Sequence, residues 1–332
     1  MMETNHFKHA AKRGAQYLTS IQQNDGCIGS SYILDHYKAP WALINTGHLH
    51  EAQMLLNWIG EHSCTKPGQF HNGDSLLQVL RSSTYRNVFI MIAALKLGDF
   101  TIYNKYALKD LCSYQHKNLG SFYGEENFDD SVLLNTNHSA MAGLFCLMSG
   151  MTKRATMVGD FILNHLNQQP LMQEKFYIHT NTKGQLITEF SNKDAFWYTI
   201  DYSQSRGHYW AIGTGAYFLT ELFLFSKQKR FLEGARQLLN ICKLFSKGFE
   251  TWPSSGKVAW AAAKLYSVTR EECLLNLAHL VGYGCLLESQ KEDGSWGPFA
   301  FNMGQNNGYH LSIAELTAEF TLLCSSISQA LI

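Results

Sequence analysis

The chain writes nearly the same phrase at both of its ends. Residues 22–29 read Gln-Gln-Asn-Asp-Gly-Cys-Ile-Gly, and residues 290–297 read Gln-Lys-Glu-Asp-Gly-Ser-Trp-Gly. Each phrase closes an apolar amphipathic run, Ala10 to Ile21 in the first case and Leu275 to Leu287 in the second. A weaker echo, Gln-His-Lys-Asn-Leu-Gly-Ser-Phe, occupies residues 115–122. A recurring helix-end signature implies a repeat architecture, which constrains the fold more than any single motif does. The phrase also has a mechanism. A Gln amide can tie down the orphan carbonyls of a helix end, Asp-Gly makes the turn, and the aromatic residue plugs the seam.

Between the echoes, helical segments come in tightly joined pairs. Pro40–Asn45 turns at Thr46-Gly47 into Leu49–Ile59, and Asn87–Lys96 turns at Leu97-Gly98-Asp99 into Phe100–Tyr114. Leu133–Met148 turns at Ser149-Gly150 into Met151–Leu166. Two more pairs follow, Tyr209–Phe225 with Arg230–Phe245, and Lys257–Tyr266 with Arg270–Leu287. The last run, His310–Leu331, is free to pair with the first, His6–Ile21. Glycine after the first helix of a pair is the left-handed cap such a turn needs. First helices are small and apolar (AIGTGAYFL, VAWAAAKLY), while second helices carry the charge (LHEAQMLLNWI, KRFLEGARQLL). An inner ring of apolar helices within an outer ring of amphipathic ones requires this asymmetry. The expectation is therefore an all-α (α/α)6 toroid, residues 1–332 as one domain, its last hairpin beside its first. Residues 174–190 alternate in polarity about Lys183-Gly184 and predict one small inserted β-hairpin.

Composition narrows the function. Apolar residues make up 45% of the chain, charged residues only 16%, and 27 basic residues balance 27 acidic ones. Such a balance offers no basic footprint for nucleic acid. No run of 18 apolar residues is present to span a bilayer, and the N-terminus lacks an apolar signal core. The eight cysteines are scattered without C-x-x-C spacing, as in a cytoplasmic protein with reduced core thiols.

In a toroid of this kind the inner helices point one way, so the residues leading into them line one mouth. Here those residues are polar and aromatic: Asp35, Tyr37, Lys38 and Trp41; Tyr85 and Arg86; Asp129 and Asp130, with Asn135 and His138 following; Asp201, Arg206, His208, Tyr209 and Trp210; Lys257 and Trp260; Tyr309 and His310. Ser, Asp and Asn at such positions serve as helix caps. Tyr85, Arg86, Arg206, His208, Lys257, Trp260 and His310 cap nothing. Aromatic and ionisable groups at helix N-termini describe a ligand cavity with a positive dipole edge.

The Gln-x-x-Asp-Gly-x-Trp endings resemble the QW repeats of squalene–hopene and oxidosqualene cyclases, and the hairpin layout resembles the wider toroid superfamily that includes protein prenyltransferase β-subunits. Asn127-Phe128-Asp129-Asp130-Ser131-Val132 resembles the Asp-x-Asp-Asp-Thr-Ala acid motif of class II terpene cyclases, with Asn127 in place of the first Asp. The resemblance implies a cyclase or isomerase, without cofactor, acting on a hydrophobic polyene or terpenoid-like molecule of secondary metabolism. Asp129, with Asp130 beside it, would supply the proton. If the altered motif has lost protonation, the pocket would instead fold its substrate for a pericyclic, Diels–Alder-type closure, with hydrogen bonds from Arg206, His208, Tyr209 or Lys257. The fourteen histidines form no His-x-x-x-His cluster, and no metal is expected. Two other readings remain open. A carbohydrate-active hydrolase, lyase or epimerase would draw a carboxylate pair from Asp35, Asp129 and Asp201 and use Trp and Tyr faces against sugar rings. A non-catalytic small-molecule binding module is the third.

Overall fold

A computed structural model describes residues 2–71, 83–124, 132–300 and 310–332. Of the described residues, 62% are helical. In chain order the helices are α1 (Met2–Ser20), α2 (Ile33–His36), α3 (Ala39–Asn45), α4 (Leu49–His62), α5 (Ser83–Leu97), α6 (Lys105–Ser113), α7 (Thr136–Met148), α8 (Thr152–Asn167), α9 (Ala195–Tyr198), α10 (Trp210–Ser226), α11 (Lys229–Asn240), α12 (Gly256–Thr269), α13 (Glu272–Val281) and α14 (Ile313–Ala330). The strands are β1 (Cys64–Lys66), β2 (Gln69–Phe70), β3 (Leu134–Asn135), β4 (Lys175–Tyr177), β5 (His179–Thr180), β6 (Thr199–Asp201), β7 (Phe299–Ala300) and β8 (His310–Leu311). They pair antiparallel two by two: β1 with β2, β3 with β5, β4 with β6 and β7 with β8.

The chain divides into two compact units. The first holds residues 1–113 and 287–330, and in it α14 packs against α1 and α3 against α4. Within it α3 packs against both α14 and α5. The second holds residues 114–286, with hairpins α7/α8, α10/α11 and α12/α13, and α10 packs between α7 and α12. In each unit the first helix of a hairpin is thus the one flanked by its counterparts. That is why α7 and α10 are apolar nearly all round: ten residues of each are buried. By contrast α11 buries Phe231, Ala235, Leu238 and Leu239 on one face and leaves its charges in water. Contact between flanked helices is close enough to need glycine. A Cβ on Gly213 of α10 would stand 2.5 Å from the Lys257 carbonyl oxygen.

The repeated phrase is one device built three times. Gln22 Nε2 donates to the carbonyls of Gly26 (3.0 Å) and Glu51 (2.9 Å). Gln115 Nε2 donates to Gly120 (2.9 Å) and Arg154 (3.1 Å), and Gln290 Nε2 to Gly294 (2.9 Å) and Ala10 (3.0 Å). Each amide therefore closes its own turn and clips it to another helix, α4, α8 or α1. The turn glycine has φ of 98°, 78° and 89° at residues 26, 120 and 294. It rests on that same helix three residues further on: an added Cβ would meet the carbonyl oxygens of Met54, Met157 and Arg13 at 2.4–2.5 Å. The plug is then tied to a side chain two elements away. Phe122 N donates to Ser139 Oγ and Trp296 N to Thr317 Oγ1, each at 3.0 Å, and Trp296 is fully buried. Replacing Gln290 by Ala strands two carbonyls and is expected to cost about 1–3 kcal/mol in urea unfolding. A loss below 0.5 kcal/mol, roughly the level of an inert surface change, would show that the clip is ornamental.

Several boundaries differ from the sequence expectation, each for a local reason. The second helix of the α5/α6 pair starts at Lys105 rather than Phe100, because Asp99 Oδ1 accepts from the backbone of Thr101 (3.0 Å) and Ile102 (3.4 Å) and holds a turn there. Helices α7 and α14 start at Thr136 and Ile313, since the residues before them enter β3 and β8. Residues 174–190 make the expected turn, with Gly184 N donating to Asn181 O (2.9 Å) and a bridge between Thr180 and Leu186. Their ladders lie elsewhere, however: β4 pairs with β6, and β5 with β3. All eight cysteines are free thiols, and Cys27, Cys146, Cys242, Cys285 and Cys324 are buried.

Candidate functional site

The pairing of β3 with β5 sets Asn135 opposite His179 at the N-terminal end of α7. Asn135 is the N-cap of that helix: its Oδ1 accepts from the His138 backbone at 2.9 Å, and its Nδ2 lies 3.3 Å from His138 Nδ1. His179 Nε2 lies 3.1 Å from the Trp197 carbonyl. His208, just ahead of α10, is stacked on the Trp197 ring (4.7 Å, 26°), packs on Phe196 (4.5 Å), and accepts from Trp210 Nε1 at Nδ1 (3.0 Å). His179 in turn packs edge-on against Tyr198 (5.1 Å). Three imidazoles thus gather with Phe196, Trp197, Tyr198 and Trp210.

Electrostatically the group is uniform. Burial pushes His138 and His179 down to about 4 and His208 to about 3, and His179 lowers its two neighbours further. These imidazoles are uncharged at neutral pH. The His179 Nδ1 atom is buried and has no hydrogen-bond partner among the described residues. A fourth histidine, His165, is also held near 4, chiefly by burial, but it is fully engaged between Thr180 Oγ1 (2.8 Å) and the Tyr177 carbonyl (2.9 Å) and fastens α8 to β4 and β5.

Other residues expected at this mouth do structural work in the same unit. The Tyr209 hydroxyl donates to the Gln204 carbonyl (3.0 Å), and its ring packs on Phe245 and Phe249. Burial raises its pKa, which takes it out of acid–base chemistry. Arg206 is exposed and lies over the Trp252 ring at 5.4 Å. Asp201 accepts from the Ser203 backbone (2.9 Å) and hydroxyl (2.7 Å), closing a turn. Tyr209 and Asp201 thus have polar atoms engaged within neighbouring loops, and Arg206 is open to solvent. Lys257 is buried in the first turn of α12. Trp260, one turn on, stacks on Tyr217 (3.5 Å, 20°), and its buried indole N–H has no acceptor among the described residues.

The first unit carries a second polar group. Lys38 donates to Glu315 Oε1 (3.0 Å) and to Glu319, and the Tyr37 hydroxyl donates to Glu315 Oε1 (2.8 Å); all four residues are buried. Burial alone would lower the Lys38 pKa, but Glu315 and Glu319 outweigh it and hold the ammonium charged. Asp35 is satisfied by Ser30, through its backbone (3.0 Å) and hydroxyl (2.6 Å), and by the Ser312 hydroxyl. Arg86 Nε donates to the Phe70 carbonyl (2.7 Å). Tyr85, Phe89 and Trp41 form an aromatic nest beside Tyr37, with ring separations of 4.9–6.2 Å.

Asp129, Asp130 and Tyr309 lie outside the described residues, as does the His310 side chain. No group of three or more His, Cys, Asp or Glu side chains among the described residues is disposed to hold a metal. The sequence reading missed His179 and Trp197. His179 falls in the segment read only as a hairpin, where nothing local distinguishes a strand histidine facing solvent from one facing a site, and Trp197 lies just beyond it in α9.

No family model matches the sequence, and no curated protein does. Solved structures do match. D-mannose isomerase superposes with a TM-score of 0.72 at 12% identity, covering 97% of each chain. An unsaturated glucuronyl hydrolase specific for heparin gives 0.65 at 10% identity over 98% of this chain and 97% of that one. The type II terpene cyclase MstE from Scytonema, solved with geranylgeranyl dihydroxybenzoate, gives 0.58 at 11% identity over 98% and 99%. The fold is that of these toroid enzymes, all-α and (α/α)6.

Proposed function

We propose that the chain is a redox-neutral isomerase that moves a proton within a hydroxycarbonyl compound of carbohydrate type, using the histidine cluster of its second unit. The observation that carries this reading is the set of uncharged imidazoles, His138, His179 and His208, walled by Trp197, Trp210, Phe196 and Tyr198. Neutral imidazole is a base, and its conjugate acid can return the proton it has taken. A proton leaves the carbon beside the carbonyl, its bonding pair becomes the enediolate double bond, the proton is returned at the former carbonyl carbon, and the hydroxyl proton passes to the former carbonyl oxygen as the new carbonyl forms. The developing negative charge favours the protonated imidazole, so the depressed imidazole pKa rises as the reaction proceeds. Aromatic faces with a few polar groups between them suit a ring that is apolar above and hydroxylated at its rim.

A second reading keeps the cyclase implied by residues 127–132 and supported by the likeness to a terpene cyclase. An unprotonated imidazole beside a carbocation removes a proton from it and ends a cyclisation early, which favours the isomerase. Incubating the protein with a panel of aldoses and ketoses in deuterated water separates the two. We expect deuterium at the carbon beside the carbonyl, with exchange falling by about 10²-fold or more in His179→Gln. Silence across the panel with turnover of an isoprenoid polyene would establish the cyclase. Binding without turnover of either would make the chain a binding module.

A further inference from the structure

The neighbours of the three imidazoles each have a fixed hydrogen-bonding sense, and together they determine where the protons sit. An indole N–H can only donate, so the 3.0 Å bond from Trp210 Nε1 makes His208 Nδ1 an acceptor. A backbone carbonyl can only accept, so the 3.1 Å contact with the Trp197 oxygen places the His179 proton on Nε2. Asn135 Oδ1 is committed to the His138 backbone N–H as the helix cap, which leaves its amide nitrogen, a donor, facing His138 Nδ1 at 3.3 Å. In a neutral imidazole one nitrogen donates and the other accepts.

We propose that Trp210, Asn135 and the Trp197 carbonyl lock all three histidines in the Nε2–H form and so divide their roles. His179 then presents the Nδ1 lone pair, a buried acceptor with no donor among the described residues, while Nε2 is the donor nitrogen of His208 and His138. A ligand hydroxyl, or a proton taken from carbon, satisfies that lone pair. Trp210 is then a positioning residue, acting through His208. The division of roles rests on the isomerase reading; the tautomers do not.

The test is two-bond proton–nitrogen NMR of the full chain carrying ¹⁵N-histidine at neutral pH, assigned with single His→Gln variants. We expect all three imidazoles as Nε2–H in the unaltered protein. Trp210→Phe keeps a ring but removes the donor, and should release His208 to a mixture of tautomers. Asn135→Asp keeps the cap but replaces the donor with an acceptor, and should draw the His138 proton to Nδ1. A His208 proton on Nδ1 in the unaltered protein overturns the proposal, as does a His208 signal indifferent to Trp210→Phe. Should either variant fail to fold, the spectrum of the unaltered protein still decides. If the tautomers stand but His179→Gln retains full deuterium exchange, the isomerase reading fails and the lock survives.

Discussion

Acidification from pH 6.5 towards 4 should unfold this protein, well above the range in which carboxylates titrate. In the unfolded chain the imidazoles of His138, His165, His179 and His208 take up protons near 6.5. In the folded chain burial holds the first three near 4 and His208 near 3. Between those values the unfolded state binds more protons, so stability falls with pH throughout the window. Above 6.5 all four are neutral in both states and contribute no pH dependence. A tenfold difference in proton affinity between the two states corresponds to about 1.4 kcal/mol, so each histidine can withdraw up to about 3 kcal/mol. Four together rival the whole stability of an ordinary domain. Carboxylates held low by hydrogen bonds, such as Asp99 with Thr101 and Gln53, act later, because their contribution is lost only as the pH falls from the ordinary carboxylate value. Urea unfolding followed by circular dichroism at half-unit pH steps gives the measurement. A His208→Gln variant should show a shallower decline. Stability that is level between pH 7 and 4.5 would show that the cluster is not held neutral.

The second large effect lies in the first unit. Lys38→Met removes the cation that Glu315 and Glu319 share, in surroundings where all three side chains are buried. An orphaned buried charge of this kind costs about 3–5 kcal/mol. Adding Glu315→Gln and Glu319→Gln to Lys38→Met should recover much of that loss, because it is the unpaired charge, rather than the missing ion pair, that destabilises. The urea midpoints of the single and triple variants decide the point. If Lys38→Met alone is neutral, the carboxylates must take up protons freely inside the protein, and the lysine is not what keeps them there.

These two clusters differ in how far they can be read from sequence. Lys38, Tyr37, His138 and His208 stand out because they precede or open apolar helices without capping them. Their partners do not. Glu315 and Glu319 sit one turn apart in a helix that looks ordinarily amphipathic, and only packing of α14 on α3 brings them to Lys38. His179 lies in a segment whose alternation signals strand and nothing more, and Trp197 lies beyond it, in the short helix α9. Tyr209 and Arg206 mislead in the opposite direction, being conspicuous in type and position yet engaged with Gln204 and Trp252.

The hairpins, the inner and outer helices and the pairing of the first run with the last were all legible without coordinates, because each follows from local chemistry: apolar period, capping glycine and the Gln-Gly clip. Some helix boundaries moved, as where an Asx turn or a two-residue strand intervened. Which polar side chains meet, which nitrogen of a histidine holds the proton and which tyrosine is spent on a carbonyl were decided by the tertiary structure alone. Lys38 meets Glu315 across 277 positions, and even the short-range pairs, Tyr209 with Gln204 and Trp210 with His208, take their geometry and their loss of water from the packing around them, which no window of sequence contains.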